Sequence, residues 1–253
     1  MRGWLLFAGF LATLAVSPSL AQQQDITRVV SAPDGGESTV MESIFVPPKA
    51  NAPFSFTLFA EWTRTLSNGG TFTLVNQRRI LRDSRGRIYQ ERVALTPKGE
   101  NATKTVTVIQ ITDPENHTWY NCIVPTRICY LYYYRHSNTD KFVPARRNDT
   151  GHNSKNFHEE DLGASNTIGE DTHGYRETET VNPGIADNNQ PMVRIREFWY
   201  SPRLALNLVS KVDDPLSGRQ EFTARELSTL EPDPAIFEIP SGYTVVDHRA
   251  EKE

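Results

Sequence analysis

Apolar and polar residues alternate with a period of two along much of this 253-residue chain. From Phe54 to Trp62 the even positions are apolar and the odd positions are polar, with Phe59 as the exception. This period is typical of a β-strand that buries one face. Similar strand signals occur at 70–81, 87–95, 103–112, 117–134, 166–168, 175–181, 192–200, 204–212 and 220–230.

Short turns separate these predicted strands. Asn68-Gly69-Gly70, 83–86 and 213–218 are rich in Gly, Asn and Asp, which tolerate the backbone angles of tight turns. Strands joined in this way cannot be parallel neighbours, because a parallel crossover needs a dozen or more residues and usually a helix. Helix patterns are scarce, and 233–237 is at most one turn. We therefore predict an all-β or mainly β domain built on a single antiparallel sheet with few short helices.

The first residues have the layout of a secretory signal peptide. Arg2 precedes an apolar run from Trp4 to Val16, and small Ser19 and Ala21 suit a signal peptidase. The run is shorter than the roughly 20 residues that span a bilayer. We expect cleavage near Ala21, which ends a 1–21 signal peptide and leaves no transmembrane segment in the mature chain. The later units are predicted as a loose N-terminal arm (22–38), a β domain (39–247) with a polar insertion near 135–161, and a C-terminal tail (248–253).

Composition narrows the class of partner. The chain is 38% hydrophobic and 23% charged, with a net charge of −4, which is typical of a globular domain rather than a disordered tail. Its basic clusters are short, such as Arg78-Arg79 with Arg82. Nucleic-acid binding needs a basic surface that displaces counterions, so we exclude nucleic acid as a partner.

Cys122 and Cys129 are the chain's 2 cysteines, and export would bring them to a compartment where a disulfide persists. They are symmetric about Pro125-Thr126, so a hairpin closed by a four-residue type I turn over 124–127 sets the two sulfurs opposite each other. The fixed negative φ of proline excludes the primed two-residue turns. We predict a structural disulfide that stabilises the fold by about 2.5 kcal/mol in the chain-entropy model. The alternative is two buried thiols.

The same hairpin register places aromatic residues on both faces of the sheet, with Trp119, Tyr130 and Tyr132 on one of them. A sheet needs only one apolar face for its core, so the second face would cover a groove, a partner or a ligand. The alternative is that the insertion after Arg135 covers it. The predicted ligand-binding residues are Trp119, Tyr130, Tyr132 and Trp199.

Catalytic signatures are missing from the sequence. It contains no GxSxG nucleophile elbow and no Gly-rich phosphate loop, and 158–161 begins like HExxH but has no second His. We therefore predict no catalytic residue, no metal and no cofactor. The alternative is a carboxylate- or metal-dependent hydrolase whose loop metal would use His152, His158 and Glu159 or Glu160.

Several short segments carry a family resemblance. They are Asp83–Tyr89, Asp113-Pro114, Leu162-Gly163, Thr167–Gly169, Tyr175–Thr178, Glu197–Pro202, Pro232–Pro234 and Phe237–Tyr243. Together they resemble a family of secreted bacterial proteins of unassigned function. More loosely, strand order and the 237–243 ending are similar to the LolA/LolB-type periplasmic lipoprotein carriers. That resemblance implies a curved, half-barrel-like sheet around an apolar groove. The long polar insertion and the lack of helix depart from those carriers.

The function expected from the sequence is non-enzymatic binding of an apolar small molecule, a lipid or an envelope component by an exported protein of the periplasm or cell surface. The aromatic residues that exceed the needs of one core carry this expectation. The first alternative is a structural or adhesive envelope protein that binds other proteins. The second is the hydrolase described above.

Overall fold

The structure, a computed structural model, describes residues 44–99, 105–133, 155–185 and 188–249. Their strands form one curved, open sheet, which confirms the predicted mainly β, antiparallel fold. In chain order the strands are β1 (Phe54–Thr65), β2 (Thr71–Arg82), β3 (Ile88–Val93), β4 (Thr96–Pro97), β5 (Val106–Asp113), β6 (Thr118–Ile123), β7 (Ile128–Tyr133), β8 (Phe157–Thr167), β9 (Glu170–Val181), β10 (Met192–Ser201), β11 (Leu206–Asp214), β12 (Gly218–Ser228) and β13 (Thr244–Asp247). A 3-10 helix covers Pro234–Phe237. Within these ranges no helix is long and apolar enough to cross a membrane.

Strand β1 lies in the middle of the sheet and joins its two halves. On one side the order is β1, β2, β3, β5, β6, β7, β13, and on the other it is β1, β12, β11, β10, β9, β8, while β4 pairs with β2. The halves meet where Ala60 of β1 faces Phe222 of β12. The pairing of β13 with β7 is parallel. This exception is possible because the chain between β12 and β13 is long enough to cross the sheet, so no tight turn joins them.

The start of β8 differs from the sequence expectation. The sequence predicts that residues 157–161 belong to the polar insertion, but they pair with β9 as the first part of β8. Polar side chains occupy both faces there, so no alternation marks the strand, and ion pairs such as Arg176 Nη1 to Glu160 Oε2 at 2.8 Å stabilise it instead. The signal peptide, the N-terminal arm and residues 134–154 of the insertion lie outside the described residues.

The sheet has two faces, each with its own apolar core. The Phe56 face is the one that carries Phe56 and the residues aligned with it, and its core is built from β1, β2, β11 and β12 with Ile44 and Leu204. The Tyr89 face is the opposite one, and its core contains Tyr89, Leu81 and Ile111 together with Phe237. Phe56 and Tyr89 are both buried, because the apolar face of each strand packs into the core on its own side of the sheet.

A fully buried arginine holds three segments together at one end of the sheet. Arg82 at the end of β2 donates from Nε to the Ala52 carbonyl (3.0 Å), from Nη1 to the Pro47 carbonyl (2.7 Å) and from Nη2 to the Leu204 carbonyl (2.7 Å). Its guanidinium lies 4.8 Å from the centre of the Phe54 ring. Burial lowers the pKa of Arg82 to about 10, so the side chain stays protonated at neutral pH.

The β10–β11 turn that receives this hydrogen bond is itself fixed by a buried carboxylate. Glu170 accepts a hydrogen bond from Ser201 Oγ at 2.7 Å and pairs with Arg203. Ser201 Oγ in turn accepts from the Leu204 amide at 3.0 Å. Lys49 Nζ donates to the carbonyls of the same turn at 2.9 and 3.1 Å. The N-terminal segment 44–53 is thereby tied over the end of the Phe56-face core.

We expect Arg82→Met to lower the free energy of unfolding by about 3 kcal/mol or more, because it leaves three buried carbonyls without their donor. Denaturant unfolding of the mature chain would measure the loss. Arg85→Met is the matched control: Arg85 is exposed and pairs with Glu115 on the surface, so we expect less than about 1 kcal/mol. Equal losses in both variants would contradict the central role of Arg82.

Candidate ligand-binding face

The β6–β7 hairpin has the register predicted from its cysteines. Cys122 faces Cys129, Ile123 faces Ile128, and the Arg127 amide donates to the Val124 carbonyl at 3.3 Å to close the four-residue turn. The two cysteines form a disulfide and are fully buried on the Tyr89 face. The disulfide therefore fixes from one face the strands that carry aromatic residues on the other.

Those aromatic residues form a contiguous group on the Phe56 face, here called the aromatic cluster: Trp119, Tyr130, Tyr132 and His248. The rings of Trp119 and Tyr132 are 5.2 Å apart, and His248 lies 5.4 Å from Tyr130 and 5.6 Å from Tyr132. The structure thus brings together three of the four predicted ligand-binding residues. These are contact distances for interacting aromatic rings.

His248 is the member of the cluster that the sequence pattern assigns to the C-terminal tail. It reaches the cluster because β13 adds to the β7 edge and the His248 amide then donates to the Leu131 carbonyl at 2.9 Å. Next to it, Arg249 hydrogen-bonds to Asp247 and lies over the ring of Tyr133. The hydrogen bonds from Arg249 lower the pKa of Asp247 to about 2, so this ion pair persists in mild acid. No local pattern around His248 signals this placement.

The aromatic cluster is not part of either apolar core of the described residues, and its members are half-buried. A row of hydrogen-bonded polar side chains borders it on the same face. Arg92 Nε donates to Gln110 Oε1 at 2.9 Å, and Gln110 Nε2 donates to Asn121 Oδ1 at 3.2 Å. Asn121 faces Tyr130 directly. The face therefore offers an aromatic surface next to a polar row.

Trp199, the fourth predicted residue, lies elsewhere. It is on the Tyr89 face of β10, where it faces Gly174 and Val209, in the half of the sheet away from the hairpin. Its indole Nε1 donates to Glu197 Oε1 at 3.1 Å. The structure does not bring Trp199 to the aromatic cluster. The alternation of apolar and polar residues along one strand does not predict which face a residue on a distant strand occupies. Bulges such as the one beside Trp199 shift the register between the strands.

The Tyr89 face, which also carries aromatic residues, is covered in part by the C-terminal segment. Phe237 from the 3-10 helix is buried against Leu81, Tyr89 and Ile111, and the Arg87 guanidinium lies 4.8 Å from the centre of its ring. Burial and the neighbouring Glu91 raise the pKa of Tyr89. The expected cover after Arg135 lies largely outside the described residues.

The residues considered for a metal do not converge in the described part of the chain. His158 and Glu159 are consecutive in β8, so their side chains project to opposite faces, and Glu160 pairs with Arg176. His152 lies outside the described residues. Within the described ranges no group of three His, Cys, Asp or Glu side chains is arranged to hold a metal ion. A small polar cleft on the Phe56 face of the same strands is lined by Phe157, Glu177, Glu179, Arg194 and Arg196.

Comparisons with known proteins give matches among solved structures. No family model matches the chain, and no curated protein matches it either. The chain is similar to an uncharacterized conserved protein from Thermus thermophilus (10% identity, TM-score 0.39, 78% of this chain and 91% of that chain). It is also similar to the MucA/MucB complex structure from Pseudomonas aeruginosa (13% identity, TM-score 0.39, 77% of this chain but only 58% of that chain).

A LolA superfamily protein from Nitrosomonas europaea is another similar structure (11% identity, TM-score 0.31, 74% of this chain and 90% of that chain). The resemblance to LolA/LolB-type proteins seen in the sequence thus recurs among solved structures. With TM-scores this low, none of these similarities supports a function, and the functional proposal rests on the chain's own residues.

We expect the double variant Cys122→Ala/Cys129→Ala to lower the free energy of unfolding by about 2 kcal/mol or more, through the lost loop constraint and the buried sulfur volume. Denaturant unfolding would measure it, and alkylation of the denatured wild-type chain would show no free thiol. Wild-type stability that does not change on addition of a reductant, or two alkylated thiols, would contradict the disulfide.

We expect Gly174→Ala to destabilise the fold by about 1–3 kcal/mol, because a Cβ at this position would lie 2.7 Å from the Trp199 ring. The matched test repeats the substitution in a Trp199→Leu background, where the clash is relieved and the added cost should fall below about 1 kcal/mol. Thermal unfolding monitored by circular dichroism measures both. An equal cost in the two backgrounds would show that Trp199 does not pack on Gly174 in solution.

Proposed function

We propose that this protein is an exported envelope protein that binds an apolar or amphipathic ligand, such as a lipid, on the aromatic cluster without chemical change to the ligand. The observation that carries the proposal is that Trp119, Tyr130 and Tyr132 are clustered on the Phe56 face yet belong to neither core of the described residues. Aromatic residues that the core does not use are typical of binding surfaces.

The gain from such binding is set by apolar area. An alkyl chain over these rings would remove apolar surface from water at about 25 cal/mol per Å². A contact that covers two or three half-buried aromatic residues is then worth a few kcal/mol before the cost of ordering the ligand. That free energy is enough for a saturable site that binds a lipid-sized molecule. Most of the apolar area of such a ligand would contribute to binding.

The polar row favours an amphipathic ligand over a purely apolar one. Arg92, Gln110 and Asn121 hydrogen-bond to one another, and their guanidinium and amide groups are side-chain types that bind the carbonyl or phosphate oxygens of a ligand. The ligand's chain would lie on the aromatic cluster and its polar group beside Asn121. His248 stands over both tyrosines, so a ligand either stacks on its imidazole or displaces it.

Export supports the choice of ligand class. The signal peptide predicted at 1–21 and the buried Cys122–Cys129 disulfide both suit an oxidising compartment outside the cytoplasm. Lipids and lipidated components are abundant apolar molecules at that location. The periplasm or the cell surface is therefore the proposed site of action.

A second candidate, a protein-binding envelope protein, is favoured by one observation. Strand β8 is eleven residues long and, among the described strands, pairs with β9 alone. An edge of this length can accept a strand from another protein. The bulge between Asp161 and Gly163 and the charged side chains of β8 oppose such pairing, so ligand binding remains the leading proposal.

The proposal predicts saturable binding of N-phenyl-1-naphthylamine, a dye that fluoresces in apolar sites, by the mature chain. We expect Trp119→Ala/Tyr132→Ala to weaken the dye affinity roughly tenfold or more, equivalent to about 1.4 kcal/mol. Tyr132→Phe keeps the aromatic ring and should change the dye affinity little. Trp199→Phe, on the other face, is the matched control and should bind normally. Circular dichroism would confirm that each variant is folded.

Two results would contradict ligand binding at this site. One is wild-type protein that shows no saturable dye binding and yields no lipid on solvent extraction and mass spectrometry. The other is equal binding by the wild-type and Trp119→Ala/Tyr132→Ala chains. Dye binding lost only in Trp199→Phe would move the site to the Tyr89 face.

A further inference from the structure

Three hairpins that are neighbours in the sheet end at the same rim. The connections β1–β2, β11–β12 and β9–β10 all lie at this end, because β12 is antiparallel to β1 and each following strand reverses direction. Their tips, here called the hairpin rim, comprise residues 65–72, 215–217 and the described parts of 182–191. This rim is opposite the end of the sheet that contains Arg82.

Each tip of the hairpin rim exposes a large apolar side chain. Ile185 is 77% exposed, Leu216 is 61% exposed, and Leu66 and Phe72 are 48% and 43% exposed. Scattered exposed apolar residues are normal on any protein. Here, however, they occupy the tips of three successive hairpins, where a side chain protrudes beyond the rest of the sheet.

The three tips are also nearly free of charge. Apart from Asp187, which lies outside the described residues, 65–72, 182–191 and 215–217 contain no Asp, Glu, Lys or Arg, although 23% of the chain is charged. Their other residues are Asn, Gln, Ser, Thr, Gly, Pro and Ala. Moving such a tip out of water avoids the large cost of desolvating an ionised side chain.

Several polar groups of the tips are hydrogen-bonded within their hairpins. The Leu66 amide donates to the Gly70 carbonyl at 2.8 Å, and the Gly70 amide donates to Asn68 Oδ1 at 2.9 Å. In the β9–β10 tip the Gly184 amide donates to the Asn188 carbonyl at 2.8 Å. Backbone groups that are already bonded lose little when water is removed.

Side-chain contacts hold neighbouring tips in a fixed relation. Trp62 Nε1 donates across to the Ser217 carbonyl at 2.7 Å, which ties the β1–β2 hairpin to the β11–β12 tip. Arg194 Nε lies 3.4 Å from Asp214 Oδ2, which ties β10 to the end of β11. The exposed apolar side chains are therefore presented together and not on independent loops.

Three turns at the opposite end carry charged residues, whereas the β8–β9 turn at that end exposes Ile168 and has no charge over 162–169. The β2–β3 turn carries Asp83, Arg85 and Arg87, the β5–β6 turn carries Asp113 and Glu115, and the β10–β11 turn carries Arg203. Among the described residues, three neighbouring apolar tips without charge occur at the hairpin rim alone. The grouping of three such tips therefore distinguishes the hairpin rim from the other turns of the described sheet.

From this grouping we infer that the hairpin rim inserts its apolar tips into the interface of an uncharged phospholipid bilayer. The match is one of charge and shape: neutral tips with bonded backbones suit the zwitterionic headgroup region, and isolated protruding side chains suit a fluid layer that closes around them. A second copy of the chain would need about 800 Å² of complementary surface per partner, which separate tips do not offer. The attachment is independent of the ligand site proposed above.

The test is co-sedimentation of the mature wild-type chain with phosphatidylcholine vesicles. We expect the wild type to partition to the vesicles, and Leu66→Asn/Ile185→Asn/Leu216→Asn to lower the partition coefficient roughly tenfold or more. The matched control, Ile168→Asn/Leu230→Asn, removes exposed apolar side chains away from the rim and should partition like the wild type. Added phosphatidylglycerol or salt should change binding by less than about twofold, since Asp187 is the one charged residue in 65–72, 182–191 and 215–217.

A second measurement locates the contact without relying on loss of binding. Leu216→Trp should be quenched by vesicles of brominated phosphatidylcholine, and Ile168→Trp at the other end should not. Wild-type chain that stays in the supernatant, a triple variant that partitions normally, or equal quenching at both positions would overturn the proposal.

Bilayer attachment is also distinguishable from self-association and from binding at the aromatic cluster. A wild-type dimer in light scattering that the triple variant dissociates would assign the rim to a second copy and overturn bilayer attachment. Trp119→Ala/Tyr132→Ala should keep vesicle binding even if it loses dye binding. A result that contradicts bilayer attachment therefore differs from one that contradicts ligand binding at the aromatic cluster.

Discussion

The fold depends on how a buried positive charge is accommodated at one end of the sheet. Arg82 is fully buried, and it is stable there because three carbonyls from two distant segments of the chain accept its hydrogen bonds and the Phe54 ring faces its guanidinium. Two of those carbonyls, of Pro47 and Ala52, belong to the segment before β1, and the third, of Leu204, belongs to the turn before β11. The side chain therefore requires both halves of the sheet to be in place at once.

This requirement separates the molecule into parts with different tasks. Near Arg82 the Phe56 face is closed by the 44–53 segment and the β10–β11 turn, and its side chains form a buried apolar core. Toward the β6–β7 hairpin the same face changes to aromatic rings and a polar row that neither core includes. Three turns near Arg82 carry charges, whereas the three tips of the hairpin rim expose apolar side chains. Closure at one end leaves the other regions available for binding.

The C-terminal segment links the two faces. After β12 it places Phe237 in the Tyr89-face core, and then adds β13 in parallel to the β7 edge, from which His248 reaches the aromatic cluster on the Phe56 face. A short chain segment can do this because a strand presents alternate side chains to opposite faces. The same segment thus covers one aromatic face and completes the other.

Local chemistry was sufficient to predict the strands with one apolar face, the meander of tight turns and the hairpin register around Pro125, because periodicity, turn residues and cysteine symmetry act over a few residues. It also placed Trp119, Tyr130 and Tyr132 on one face. It missed the start of β8, whose polar faces have no alternation, and it grouped Trp199 with residues that lie on the opposite face. Only the tertiary structure decided three features: the position of His248 in the aromatic cluster, the burial of Arg82 and the alignment of three apolar tips on one rim. Each of these depends on segments that are far apart in the chain and meet through strand pairing, and no local pattern encodes which distant strands will be neighbours.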